Sequence, residues 1–181
     1  MRPIILSVSG IEFDFTNPKP HSIHIDDIAT SLANICRFNG QINHHYSVAQ
    51  HSILVAMLVP RELKFAALMH DAHEAYVGDV ASPLKALLLD YQRIEERVQG
   101  VVRARFGLPA SDYEGVKKAD YAAFLLESAH LREESDTFVD ETEGSEIPYQ
   151  FNSFFVHPWT PLRAEQAFLE SFAALKPKGV Q

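Results

Sequence analysis

The run His70-Asp71-Ala72-His73-Glu74 gathers two imidazoles and two carboxylates into five consecutive residues, and it sits inside apolar patterning of helical period. Pro60 suits a first helical position, Leu63, Ala66, Ala67 and Met69 continue the repeat, and Gly78 supplies a stop. The spacing therefore predicts one helix from Pro60 to about Gly78. On such a helix His70 and Glu74 share a face, with Asp71 about 100° round the axis. Neutral imidazole plus carboxylate suits Zn, Mn, Fe, Co or Ni, and a site with three or four protein ligands leaves positions for water and substrate. His51 and Asp120 are candidates for the missing ligands.

Each of these two falls on its own predicted helix. Ser47-Val48-Ala49-Gln50 has the form of a capping box, and the apolar run ends at Pro60, so a helix covers about Val48 to Val59 with His51 in its first turns. Ser111-Asp112-Tyr113-Glu114 is a second capping box, opening a helix on which Val116, Ala119, Asp120, Ala123, Phe124 and Glu127 line one broad side. Asp120 is expected to face inward among apolar neighbours.

Upstream, Ile28, Leu32 and Ile35 recur at helical spacing from Asp26 to a stop at Phe38-Asn39-Gly40. The alternation from Ile4 to Phe15 around Ser9-Gly10 reads as a β-hairpin. His44-His45 fall in a loop and are expected in solvent. Downstream, Ser82-Pro83 starts a short helix, Tyr91, Ile94, Val98, Val101 and Val102 mark a longer one ended by Gly107 and Pro109, and Thr160-Pro161 opens a last amphipathic helix. Seven acidic residues lie between Glu133 and Glu146 with no Lys or Arg, which reads as a solvated loop. The fold expected is all-α, a helical bundle with a small N-terminal β-hairpin. It forms one domain over 1–181, with a hairpin extension at 1–23, an acidic loop at 133–158 and a closing helix at 160–176.

Composition narrows the function. The chain has 181 residues, 46% hydrophobic and 22% charged, within the ordinary globular range. No apolar run approaches the ~20 residues that span a bilayer, and Met1-Arg2-Pro3-Ile4 lacks a signal-peptide pattern, so a cytoplasmic protein without a membrane partner is expected. The single cysteine, Cys36, permits no internal disulfide and no cysteine zinc cage, so any metal rests on His and carboxylates. A net charge of -8 disfavours nucleic acid as a partner. Apolar surface on several helices leads us to expect a homo-oligomer.

A lone buried His or Asp is more often hydrogen-bonded core than ligand. Jointly, an inward His51 and an inward Asp120 without a cation would leave costly buried polar groups in a small helical core.

The order His51, His70-Asp71, Asp120 on separate helices resembles the HD-domain metal-dependent phosphohydrolases. The resemblance extends over Ile35-Cys36-Arg37-Phe38-Asn39, Tyr46 to Ser52, His70 to Asp79, Pro83-Leu84-Lys85 and Lys117-Lys118-Ala119-Asp120. That set, from about Ile25 to Glu127, is similar to the nucleotidase branch, which includes bacterial 5′-deoxynucleotidases and phage dATP triphosphohydrolases. The resemblance implies His51, His70, Asp71 and Asp120 as ligands of a divalent transition metal (Zn, Co, Mn, Ni or Fe), with a second ion such as Mg as an option. The ion would polarise a phosphoryl oxygen and lower the pKa of a bound water. Glu74 matches the acid that handles this water, and Arg37 the arginine that clamps phosphate. Phe38 stands beside Arg37 where the family often has Trp, to support the base or simply to pack the core. Asp79 matches an acid that contacts the sugar 3′-hydroxyl or assists the leaving group, or else it caps a helix. Lys85 and Lys117 match lysines that approach the phosphates, against the ordinary reading of solvated surface lysines. His73 departs from the branch, either as a group behind the ligands or as a contributor to a second ion.

The implied function is hydrolysis of the sugar-proximal phosphate ester of a dNMP or dNTP. The alternative is a catalytically silent HD domain that binds a nucleotide as a sensor, which would have no need for a water-activating Glu74.

Overall fold

The computed structural model describes residues 2–111, 113–131 and 156–180. Its chain order is β1 (Ile4–Leu6), β2 (Glu12–Asp14), α1 (Ile25–Asn34), α2 (Val48–Leu58), α3 (Lys64–Leu68), α4 (Glu74–Val77), α5 (Ser82–Lys85), α6 (Leu89–Phe106), α7 (Glu114–Leu131) and α8 (Pro161–Leu175), with short 3-10 turns at Pro20–Ser22, Phe38–Gly40 and Arg61–Leu63. Among the described residues the protein is mostly helical with one two-stranded antiparallel sheet, and none of these helices is long and apolar enough to cross a membrane. The acidic stretch falls almost wholly on 132–155, outside the described residues, as does Asp112 of the second capping box.

The helix α2 is the axis of the domain. Every residue from Val48 to Ala56 is buried, His51, Gln50 and Ser52 included, as expected of a helix that is apolar nearly all round. The helices α1, α3, α7 and α8 pack around it. Ser47 caps α2 by accepting from the Gln50 amide, but the reciprocal half of the box is missing. The Gln50 side chain instead donates to the His157 carbonyl at 2.8 Å and accepts from the Trp159 amide at 3.0 Å. It thereby ties the segment before α8 to the core. In α8, Thr160 accepts from the Arg163 amide, and Ala164, Phe168 and Phe172 are buried.

The hairpin pairs Ile5 with Phe13 across a Ser7–Ile11 loop in which Gly10 takes φ 81°. It is anchored at two points. Ser9 donates its amide and hydroxyl to the buried Asp27 of α1, at 2.7 and 2.8 Å, and Phe13 stacks on Tyr76 of α4 at 4.2 Å.

Two helices end elsewhere than predicted. The first stops at Asn34 rather than Phe38, because the chain turns extended at Ile35 and pairs Cys36 with Ser47. Phe38 and Asn39 then both take positive φ, 57° and 54°, which is costly for a bulky aromatic. The helix expected from Pro60 to Gly78 is broken, with a 3-10 turn at Arg61–Leu63 and a turn at 69–73 between α3 and α4. The break falls at the His70-Asp71 pair. The His70 ring Nδ1 lies 2.7 Å from the Ala67 carbonyl, which a regular helix would give to the Asp71 amide, and the backbone runs on with tighter bonds such as Ala72 to Met69 and Glu74 to Asp71. The helix α6 ends as predicted, at a left-handed Gly107. Leu84, Leu87, Leu88 and Leu89 stay exposed around the α5–α6 junction.

Candidate metal centre

Four side chains from three chain segments meet at one point. His51 Nε2, from α2, lies 3.0 Å from Asp120 Oδ1 of α7 and 3.6 Å from Asp71 Oδ2. His70 Nε2, from the turn between α3 and α4, lies 3.1 Å from the same Asp71 oxygen and 3.7 Å from the same Asp120 oxygen. The two ring planes are tilted at 51° with centroids 5.3 Å apart. Both Nε2 atoms are buried and make no hydrogen bond of acceptable geometry. Two nitrogen lone pairs and two carboxylate oxygens thus converge without satisfying one another.

The opposite edge of each ring is fixed. A carboxylate and a carbonyl can only accept, so the proton sits on Nδ1 in both imidazoles. His51 donates to Glu127 Oε1 at 2.7 Å and His70 to the Ala67 carbonyl at 2.7 Å. This tautomer leaves each Nε2 able to ligate, the arrangement typical of metal-bound histidine. The donor set fits a divalent transition ion, and His51, His70 and Asp120 offer ligand atoms within 4.8 Å of one another.

In the absence of an ion, burial pushes both imidazoles down, but Glu127 and Asp120 around His51, and Asp71 and Asp120 around His70, raise them above the ordinary histidine range. Burial pushes the Asp71 and Asp120 carboxyls up, and the two imidazoles more than offset it, holding both below the usual carboxylate range. A divalent cation entering here would displace the imidazole protons and take their place between the two carboxylates.

Asp120 corrects one expectation. Its side chain is 45% exposed, so it stands at the rim of the cluster rather than enclosed in the core. His51 is fully buried and His70 nearly so.

Glu127, which the apolar pattern of α7 led us to read as one more residue on a helix side, is fully buried and central. Its second oxygen accepts from Arg37 Nε at 3.0 Å. The signal was present in the sequence, since Glu127 lies seven residues, two helical turns, beyond Asp120 on one face. Arg37 is only 12% exposed. Burial works against its charge, but Glu127, followed by Asp71, Asp79 and Asp120, overcomes that and holds the guanidinium protonated. Its guanidinium carbon sits 5.6 Å from the centre of the Phe38 ring, and that ring lies 5.9 Å from Phe124. The unusual backbone at Phe38 thus places an aromatic face between Arg37 and α7.

Glu74 opens α4 and is buried with Oε2 unpartnered. Burial, then the charges of Asp71 and Asp79, raise its carboxyl well above the usual range. Asp79, half-buried after the Gly78 turn, is raised by burial and feels Arg37 and Asp71. Lys85 is 27% exposed and bound to Glu95 at 2.6 Å, a partner that the sequence reading did not foresee. Lys117 is exposed on α7 one turn before Asp120, and among the described residues no ion pair ties it to the cluster. His45 is half-buried, its Nε2 2.9 Å from the Ala33 carbonyl, rather than free in solvent.

No family model matches the chain. It is 44% identical to the Escherichia coli protein YfdR over 168 residues, 93% of each chain. It is 39% identical to the Rhodobacter capsulatus protein RCAP_rcc00048 over 150 residues, 77% of this chain and 76% of that one. Both relatives are described as uncharacterized.

Proposed function

The chain belongs to the same family as YfdR and RCAP_rcc00048, and we propose that it is a metal-dependent phosphohydrolase of the HD-domain type, acting on deoxynucleotides. The observation that carries this reading is the pair of unpartnered Nε2 atoms of His51 and His70, aimed at the oxygens of Asp71 and Asp120 with Nδ1 protons held from behind. Imidazoles kept in the ligating tautomer beside two carboxylates support an ion there, and the adjacent groups support phosphoryl chemistry.

His51, His70, Asp71 and Asp120 would hold a divalent ion, which would supply Lewis acidity toward a phosphoryl oxygen. Glu74, buried in the pocket beside Asp71, is assigned to accept the proton of the water that attacks phosphorus. Arg37 enters the site charged, with Nε committed to Glu127, and offers the rest of its planar fork to the phosphate. The Phe38 ring beside it supports the base or sugar. Asp79 serves the sugar hydroxyl or the departing oxygen. Water attack breaks the bond between phosphorus and the 5′ oxygen, releasing a nucleoside together with phosphate from a dNMP or triphosphate from a dNTP.

The test is a panel of dNMPs, dNDPs, dNTPs and ribonucleotides incubated with metal-loaded protein and resolved by chromatography. Nucleoside release by wild type and its loss in Asp71→Asn is the expected result. Absence of any nucleotide turnover with Mn, Co, Zn or Mg would overturn the activity.

A further inference from the structure

We propose a second divalent-cation site formed by His73, Glu74 and Glu95, next to the first and distinct from it. The three offer one ligand atom each within 4.8 Å of one another. His73 and Glu74 are each about 95% buried, and Glu74 Oε2 lacks a hydrogen-bond partner. His73 Nε2 lies 3.5 Å from Glu95 Oε1, beyond a good hydrogen bond. Buried polar atoms left in this state carry a free-energy cost that a bound ion would remove.

The surroundings point to a cation rather than an anion. These residues line a pocket of about 240 Å³ that also includes Asp71, Lys85 and Glu96. Four carboxylates, those of Asp71, Glu74, Glu95 and Glu96, face one fixed positive charge, Lys85. The Lys85 ammonium stands 2.6 Å from Glu95 Oε1, as the resident counter-ion that an entering metal would displace. One imidazole with two carboxylates is a donor set for Mn²⁺ or a similar borderline ion rather than for an all-oxygen Ca²⁺ cage. The turn between α3 and α4 explains how one short segment serves two centres, with His70 and Asp71 directed to the first and His73 and Glu74, three and four residues on, to the second.

This site does not depend on the nucleotide reading, and binding stoichiometry separates the two. Chelator-treated full-length protein is titrated with Mn²⁺ by isothermal calorimetry, with thermal melts to confirm folding. Wild type should bind two equivalents, while His73→Ala and the near-isosteric Glu95→Gln should each bind one. His51→Ala should lose the other equivalent, and Lys85→Gln should keep two, with one tightened by about tenfold, the worth of a charge-assisted bond. A single equivalent in wild type, or two retained in Glu95→Gln, would overturn the second site. Two equivalents without nucleotide turnover would leave it standing and remove the activity; turnover with one equivalent would do the reverse.

Discussion

Glu127 joins His51 to Arg37, accepting from the imidazole Nδ1 at 2.7 Å and from the guanidinium Nε at 3.0 Å. One fully buried carboxylate thus sets the tautomer of a metal-ligand candidate and balances the charge of a phosphate-binding candidate. The two halves of the site are coupled through it.

Glu127→Gln should therefore weaken metal binding by about 10–100-fold, the usual cost of losing a partner behind a ligand. Glu127→Ala should in addition destabilise the fold by about 3–5 kcal/mol, because Arg37 would be left as an unpaired buried charge. Calorimetric metal titration and urea denaturation check the two effects. Metal affinity unchanged in Glu127→Gln would show that the carboxylate does not act on His51.

The stability of the protein should respond to pH in opposite senses with and without metal. Burial lowers the His51 and His70 pKa values, but their carboxylate neighbours outweigh it, so both are raised on folding. A raised folded pKa gives stability that is complete below about pH 6.5 and is lost as pH rises through the folded value. Metal requires neutral imidazole, so its stabilisation grows over the same interval. An ion at 100 times its Kd adds about 2.7 kcal/mol. The melting-temperature gap between metal-loaded and chelator-treated protein should widen from about pH 6 to about pH 8. A gap that narrows over that interval contradicts the assignment.

Glu74→Ala should keep the ion held by His51, His70, Asp71 and Asp120 while turnover falls by about 10²–10⁴-fold. Steady-state kinetics with metal analysis on the same sample measures both. A wild-type kcat would remove Glu74 from proton transfer.

Lys85 and Lys117 should behave differently on substrates of different length. Lys117 is exposed, and an exposed substitution typically changes energies by within about 0.5 kcal/mol, so Lys117→Ala should leave kcat/KM for dAMP and dATP within about threefold of wild type. Lys85 lies in the pocket beside Asp71 and Glu74, so Lys85→Ala should alter the ratio of the two kcat/KM values. Equal effects of Lys85→Ala on both substrates would show that no phosphate beyond the first reaches it.

Much of this architecture was legible from local signals. The Ser47 cap, the stop at Gly107, the Thr160-Pro161 start and the Ser9-Gly10 hairpin each have a cause within a few residues, and each is found in the structure. Their places on separate predicted helices made His51 and Asp120 candidate partners of the His70-Asp71 pair, and the family resemblance implied the four as one set; the structure brings their side chains together. The break in the helix after Leu68, where the His70 ring takes the Ala67 carbonyl, was not legible, because no Gly or Pro marks it in the sequence. Glu127 and Glu95 were missed for a related reason. Each is a single carboxylate in an otherwise regular helix, and it acquires a role only when the fold brings His51, Arg37, His73 or Lys85 to it.

The most direct measurement is anomalous diffraction from crystals grown from Mn²⁺-loaded protein, with data collected at the manganese absorption edge. The account predicts a peak bounded by His51 Nε2, His70 Nε2 and oxygens of Asp71 and Asp120. No peak among these four side chains in loaded crystals, with the imidazoles instead hydrogen-bonded directly to the carboxylates, would contradict it.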